Sequence, residues 1–205
     1  MANLRFREFY RRRLPHLQIE GATYFVTFRL KDSLPIDILQ KLSQEFERIK
    51  RLPNDKIEFG QKRWFEKFDN YLDQVLAGES FLSDSQIATV TEEAIHYRNS
   101  KVYDLVSFCV MPNHVHLICR PLENEKDKFY SLTEILHSLK RHTARQSNLI
   151  LKRSGSFWQD ESYDHIIRNE VELERTIKYV LHNPVKANLV NAQKDWRWAY
   201  CKYDM

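Results

Sequence analysis

Residues 108–119, Phe-Cys-Val-Met-Pro-Asn-His-Val-His-Leu-Ile-Cys, constrain the fold more than any other stretch, because they are apolar on both sides of a single turn signal. Pro112-Asn113 favours a tight turn, so the spans 105–111 and 115–120 are predicted to pair as a hairpin. Side chains alternate along a strand, which sends His114 and His116 to one face and Val115 to the other. Two neutral imidazoles so placed suit one divalent cation that still lacks at least one ligand, although a strand histidine reads equally as a hydrogen-bonded core residue.

The 205 residues suit one domain, and 42% hydrophobic with 13% aromatic content is enough for a substantial core. No uninterrupted apolar span is long enough to cross a bilayer, and the arginine-rich start is not followed by a secretory apolar stretch, so no membrane association is expected and the cytoplasm is the expected compartment. Cys109, Cys119 and Cys201 lack metal-knuckle spacing and predict neither a disulfide nor a zinc site. Charge is unevenly placed: Arg5, Arg7, Arg11, Arg12 and Arg13 against Glu8 give the first thirteen residues +4, the net charge of the entire chain. A nucleic-acid surface would therefore use this arm and local patches, not a global field.

Residues 23–30, β-branched and aromatic after Gly21, predict the first strand. Helical spacing follows over 37–51, with Leu39, Leu42, Phe46 and Ile49 on one stripe, and over 63–76. Ser83-x-x-Gln86 and Ser131-x-x-Glu134 each read as a capping box, the first opening a helix to about Tyr97 and the second a helix through Arg145. An aromatic and polar loop spans 157–168, and a last helix runs from about Glu170 to Asn183, stopped by Pro184. This order predicts an α+β fold with helices packed on an antiparallel sheet. The chain is read as one domain, 1–205, with a basic arm at 1–20 and a helical insertion at about 53–100 after the first strand.

Leu173, Ile177, Val180 and Leu181 form the apolar stripe of the last helix, and Tyr179 lies off it. Asn183, four residues on, shares the face of Tyr179. From spacing alone Tyr179 reads as an amphipathic surface residue and Asn183 as a helix end, yet together they also place a carboxamide beside a phenol.

Three separated motifs carry a resemblance: Met111-Pro-Asn-His-Val-His116; Trp158-Gln with Tyr163-Asp-His-Ile-Ile-Arg168; and Tyr179-Val-Leu-His-Asn-Pro-Val-Lys186 with Leu189-Val190. In this order they resemble the signature set of the REP-associated tyrosine transposases, IS200-like members of the single-tyrosine branch of HUH endonucleases. The resemblance runs from about Gly21 to Trp196. It implies a ferredoxin-like fold related to the RRM, with His114 and His116 as the metal-binding pair, Tyr179 as the nucleophile and Asn183 as the third metal ligand. It further implies a divalent metal, Mg2+ or Mn2+, and single-stranded DNA bearing a hairpin as substrate, processed through a 5′-phosphotyrosine by a monomer or a homodimer.

Candidate nucleic-acid contacts are Arg11, Arg12 and Arg13 in the arm, Lys140, Arg141 and Arg145 on one helix, Arg168 and Lys186. Trp158 and Tyr163 are candidates to stack on unpaired bases, or to anchor their loop by packing. Two other readings remain open at this level: a metal-dependent phosphodiester hydrolase in which His165 or Asp164 joins the histidine pair, and a domesticated, non-catalytic nucleic-acid-binding protein.

Overall fold

The computed structural model describes residues 6–11, 15–75, 77–125 and 128–203, with side chains from Ile19 onward. Two strands, β1 (Phe6–Arg11) and β2 (Pro15–Ile19), form a separate antiparallel pair. The main sheet contains β3 (Thr23–Arg29), β4 (Tyr103–Val110), β5 (His114–Pro121), β6 (Tyr163–Ile167) and β7 (Ala199–Cys201). Their spatial order is β6-β3-β5-β4-β7 with every neighbour antiparallel. The first four strands of that order follow the ferredoxin-like arrangement, as the sequence motifs imply.

Alternation along the strands divides the interior into two cores. Tyr24, Val26 and Phe28 of β3 and Val115, Leu117 and Cys119 of β5 face one side. On that side lie α3 (Ser85–Arg98) and α4 (Leu132–Ile150), which contribute Ile87, Ile95, Ile135 and Leu139. Phe25 and Ile118 face the other side, covered by α1 (Ile36–Ile49), α2 (Asn54–Asp73) and α5 (Glu170–Lys186). A register shift between Leu105 and Ser107 in β4 brings Leu105 and Phe108 to the same core although three positions separate them. A bulge of this kind flips the face of everything beyond it.

Several elements differ from expectation. The 53–100 span is not one insertion: α2 packs in the layer with α1, whereas α3 lies against α4 on the opposite face of the sheet. Helix α2 begins at Asn54 instead of Arg63, since Pro53 starts a helix well and its first turns are merely polar. Asp84, not Ser83, caps α3, its carboxylate accepting from the Gln86 and Ile87 amides, while Ser83 sits in a short 3-10 turn. The Ser131–Glu134 capping box of α4 is present in both directions. Pro184 lies inside α5, which continues to Lys186, because one missing donor in a final turn is tolerated when the ring is buried. Part of the 157–168 loop is strand β6, paired with β3 in the register Tyr163↔Thr27 to Ile167↔Thr23.

Candidate active site

The core containing α1, α2 and α5 is where the chemistry collects. Strand β5 projects His114 and His116 into it, both fully buried. The Asn113 amide donates to the Leu72 carbonyl at 3.0 Å, so its Oδ1 faces His114 Nδ1 at 2.7 Å and accepts that N–H. This fixes the tautomer and leaves His114 Nε2 with a lone pair. Thr27 Oγ1, on the neighbouring strand, holds His116 Nδ1 at 2.8 Å. Both Nε2 atoms therefore converge, 3.0 Å apart.

Helix α5 brings Asn183 and Tyr179 to the same point. The Asn183 amide nitrogen lies 2.8 Å from His116 Nε2, and Tyr179 meets the His116 ring edge-on with centroids 5.8 Å apart. The four residues singled out by motif thus form one cluster. Lys186, further along α5, joins them: its ammonium lies 5.7 Å from the Tyr179 ring centroid.

Sequence reasoning missed the contribution of α2. Asp69 and Asp73 enter from its last turns, Asp69 Oδ2 accepting from the Tyr179 hydroxyl and from Lys186 Nζ at 3.2 Å. Asp69 Oδ1 sits 3.2 Å from His116 Nε2 and 3.9 Å from His114 Nε2, and Asp73 Oδ2 pairs with Lys186 at 2.8 Å. One signal was available: Asp69 falls on the stripe that carries Phe65 and Leu72, where a carboxylate has no place in an ordinary apolar face.

The electrostatics follow from this packing. Burial, with His116 adjacent, pushes the His114 imidazole down to about 3, keeping it neutral as a ligand must be. Burial works against the Asp69 charge, but His116, His114 and Lys186 outweigh it and hold the carboxyl well below the usual range. Burial and the facing Asp69 push the Tyr179 phenol far above its ordinary value. Burial opposes the Lys186 charge, yet Asp69 and Asp73 together raise it. The site therefore holds a protonated phenol, an ionised carboxylate and a charged lysine around the neutral His114 imidazole.

The donor set fits a divalent cation. Asp69 Oδ1 and Asn183 Oδ1 are buried and accept no hydrogen bond, and Asp69, His114 and His116 offer ligand atoms within 4.8 Å of one another. Nitrogen and oxygen donors without sulfur suit a harder ion of the magnesium or manganese class.

The remaining candidates lie elsewhere. Trp158 is buried in the opposite core, its indole donating to Thr143 Oγ1 at 2.8 Å and packing edge-on against Phe28, so it is an anchor and not a stacking platform. Lys140 ties down the 159–162 segment through the Gln159 and Asp160 carbonyls and the Ser162 hydroxyl, and Arg141 and Arg145 are exposed on α4 across the sheet from the histidines. Arg168 pairs with Glu58 at 2.5 Å. His165 pairs with Glu172 at 2.7 Å and is not part of the cluster of Asp69, His114 and His116. Tyr163 stacks on Phe65 with centroids 4.2 Å apart and lines a cleft of about 640 Å³ with Thr27, Trp64 and Phe68. Arg11 is described in backbone alone, and Arg12 and Arg13 lie outside the described residues.

Among the described residues, no helix is long and apolar enough to cross a membrane. The family described as "Transposase IS200 like" matches residues 63–183, a span that contains the histidine pair, Asp69, Tyr179 and Asn183. A REP-associated tyrosine transposase assignment from Haemophilus influenzae is 26% identical over 102 residues, covering 47% of this chain and 58% of the relative. The REP-associated tyrosine transposase of Escherichia coli K12 is 25% identical over 117 residues, covering 57% of this chain and 66% of the relative. The chain thus spans less than two thirds of the length of either relative. A solved structure of a REP-associated tyrosine transposase bound to a REP hairpin superposes with a TM-score of 0.55 at 18% identity, covering 93% of this chain and 80% of the other. That likeness is one of fold.

Proposed function

The chain belongs to the IS200-like transposase family, and from the geometry of its site we propose that it cuts and rejoins single-stranded DNA beside a hairpin, with Tyr179 as the nucleophile. The observation that carries this reading is the convergence of a half-buried tyrosine hydroxyl, two oriented imidazoles and Asn183 from α5 and β5 of a single chain. A complete constellation within one protomer supports action by a monomer. The hairpin in the complex of the structural relative supports a hairpin-bearing substrate.

His114, His116 and Asn183 are the residues that would hold a magnesium or manganese ion, which when bound would neutralise charge on the scissile phosphate. The chain's own groups do the rest. Tyr179 Oη attacks phosphorus in line, forming a new O–P bond as the P–O3′ bond breaks and its electron pair leaves on O3′. The proton that must depart from Tyr179 already lies in a hydrogen bond to Asp69 Oδ2, the acceptor nearest to it. Lys186 places a positive charge beside the same oxygen and favours the phenolate as it forms. With one proton gained at O3′ for the one lost from Tyr179, the products are a 5′-phosphotyrosine and a free 3′-hydroxyl, and attack by a second 3′-hydroxyl on the phosphotyrosine reseals the strand without external energy. Arg11, Arg12 and Arg13 are proposed to follow the phosphate backbone, outside the catalytic cluster.

The test is incubation with end-labelled, hairpin-bearing single strands and magnesium or manganese, followed by denaturing electrophoresis. A covalent protein–DNA adduct is expected. Cutting without any adduct, and unaffected by Tyr179→Phe, would instead assign water as the nucleophile.

A further inference from the structure

Asp69 stands apart from the motif residues because each of its oxygens has a separate environment. Oδ2 is occupied, accepting from Tyr179 and Lys186. Oδ1 accepts no hydrogen bond, although it is fully buried and points at the two Nε2 atoms. An ionised oxygen left without a donor inside a protein is costly, and it is costlier beside a lone pair that repels it. His114 Nε2 has no proton to offer, since the ring's N–H is engaged by Asn113. Asn183 adds another unpartnered, buried oxygen at the same point. Asp69 Oδ1 and the two Nε2 atoms are buried ligand atoms within 4.8 Å of one another, and one cation between them would satisfy all three.

We propose that Asp69 is a further protein ligand of the cation site, bound through Oδ1; this rests on the reading that His114, His116 and Asn183 hold a divalent ion. The ligand set then contains one full negative charge, which favours hard, oxygen-preferring ions over softer ones. It also makes a single carboxylate the link between the ion and the nucleophile, Oδ1 on the one and Oδ2 on the other. Asp73 plays a different part: its nearest approach to His114 Nε2 is 4.0 Å, and its charge is matched by Lys186 at 2.8 Å.

The experiment is calorimetric titration of the full chain with Mn2+ alone, in the wild type and in Asp69→Asn, Asp73→Asn and His116→Ala. Asp69→Asn is expected to weaken binding by at least about tenfold, more than loss of an outer-sphere partner usually does, with Asp73→Asn near wild type and His116→Ala losing the site. Asp69→Asn binding as tightly as wild type, while His116→Ala does not bind, overturns the role of Asp69 and leaves the cation site standing. Wild type and His116→Ala behaving alike overturns the cation site and this ligand with it. A second measurement detects the ligand directly in the unmutated chain, with Asp73→Asn as its control. Pulsed ENDOR of the Mn2+ protein labelled with 13C in aspartate carboxylates should give a manganese–carbon coupling that persists in Asp73→Asn, and absence of that coupling overturns the proposal.

Discussion

The hydroxyl of Tyr179 donates to the carboxylate of Asp69 across 110 positions of sequence, joining the middle of α5 to the last turns of α2. Neither partner is part of the sheet that carries the histidines. The proposed nucleophile is therefore oriented by a helix that reaches the site from the segment between β3 and β4, and the same carboxylate faces the imidazole pair.

Tyr179→Phe removes the proposed nucleophile and one of the two donors to Asp69 Oδ2. It is expected to abolish the covalent adduct while leaving affinity for hairpin-bearing single strands close to wild type. Stability should change little, by about 1 kcal/mol, because Lys186 still donates to that oxygen. Denaturing gels, a binding titration and a urea melt read the three quantities separately, and loss of binding along with the adduct would make Tyr179 a structural residue.

Asn113→Ala tests the device that orients His114. The substitution leaves the buried His114 Nδ1 without its partner, 2.7 Å away in the intact chain, and removes one donor from the Leu72 carbonyl, which keeps the Val75 amide at 3.1 Å. Unfolding should become easier by about 1–3 kcal/mol, the penalty for orphaned buried groups. Mn2+ affinity should fall by roughly 10–100-fold as the ring loses its fixed tautomer. Calorimetry on the folded variant decides: unchanged affinity would mean that packing alone holds the imidazole.

Much of this site was legible in the sequence, for definite reasons. Two-residue spacing on a strand necessarily puts His114 and His116 on one face, and four-residue spacing on a helix puts Asn183 with Tyr179. Local capping chemistry announced α4. What stayed hidden depends on long-range pairing. Strand β6 is a short edge strand whose pairing with β3 no local pattern states, and β7 contributes only three residues. Trp158 was weighed as a base-stacking residue because an aromatic loop looks exposed until the Thr143 hydroxyl and Phe28 are seen to bury it. Asp69 and Asp73 acquire meaning only when α2 is laid over α5.

Lys186 is the counter-charge for both carboxylates, at 3.2 Å from Asp69 and 2.8 Å from Asp73. Lys186→Met should destabilise the fold by roughly 2 kcal/mol, short of the cost of breaking a wholly buried pair because the lysine is partly solvated. Adding Asp73→Asn removes one of the two stranded charges. The double variant is expected to be more stable than Lys186→Met alone, a coupling that a double-mutant cycle of urea melts measures directly. Additive effects would show that Lys186 and Asp73 do not interact in solution.

Tyr24 ties β2 to the main sheet: its hydroxyl donates to the Ile19 carbonyl at 2.8 Å and accepts the Ile19 amide at 2.6 Å. Burial, reinforced by Asp164 and opposed by the bond to Ile19, pushes the phenol up to about 12. The unfolded chain ionises this group near pH 10, so the stability it contributes is intact below pH 10 and declines as pH rises toward 12. One such group contributes a slope of about 1.4 kcal/mol per pH unit in that window. Tyr103, Tyr163 and Tyr179 are raised too, so wild-type stability should fall steeply there, and Tyr24→Phe should fall less steeply by one proton. Equal slopes in urea melts between pH 10 and 12 would show that Tyr24 ionises freely in the folded chain.

The first thirteen residues of the arm carry as much net charge as the whole chain, and three of their arginines, Arg11, Arg12 and Arg13, are consecutive. Arg11 ends β1 opposite Pro15, in a two-stranded sheet separate from the strands that hold the catalytic cluster. Contacts from this segment to phosphates would carry no base information. Replacing all three with Ala should then weaken binding to unrelated single strands to a similar degree. The slope of log affinity against log salt should become shallower by roughly 0.7 for each phosphate that the variant no longer neutralises. Adduct formation at saturating DNA should persist, since Tyr179 and the histidines are untouched. A salt slope identical to wild type would show that the arginines are solvated and touch no phosphate, whereas weaker discrimination between hairpin substrates would make the arm a reader of shape or sequence.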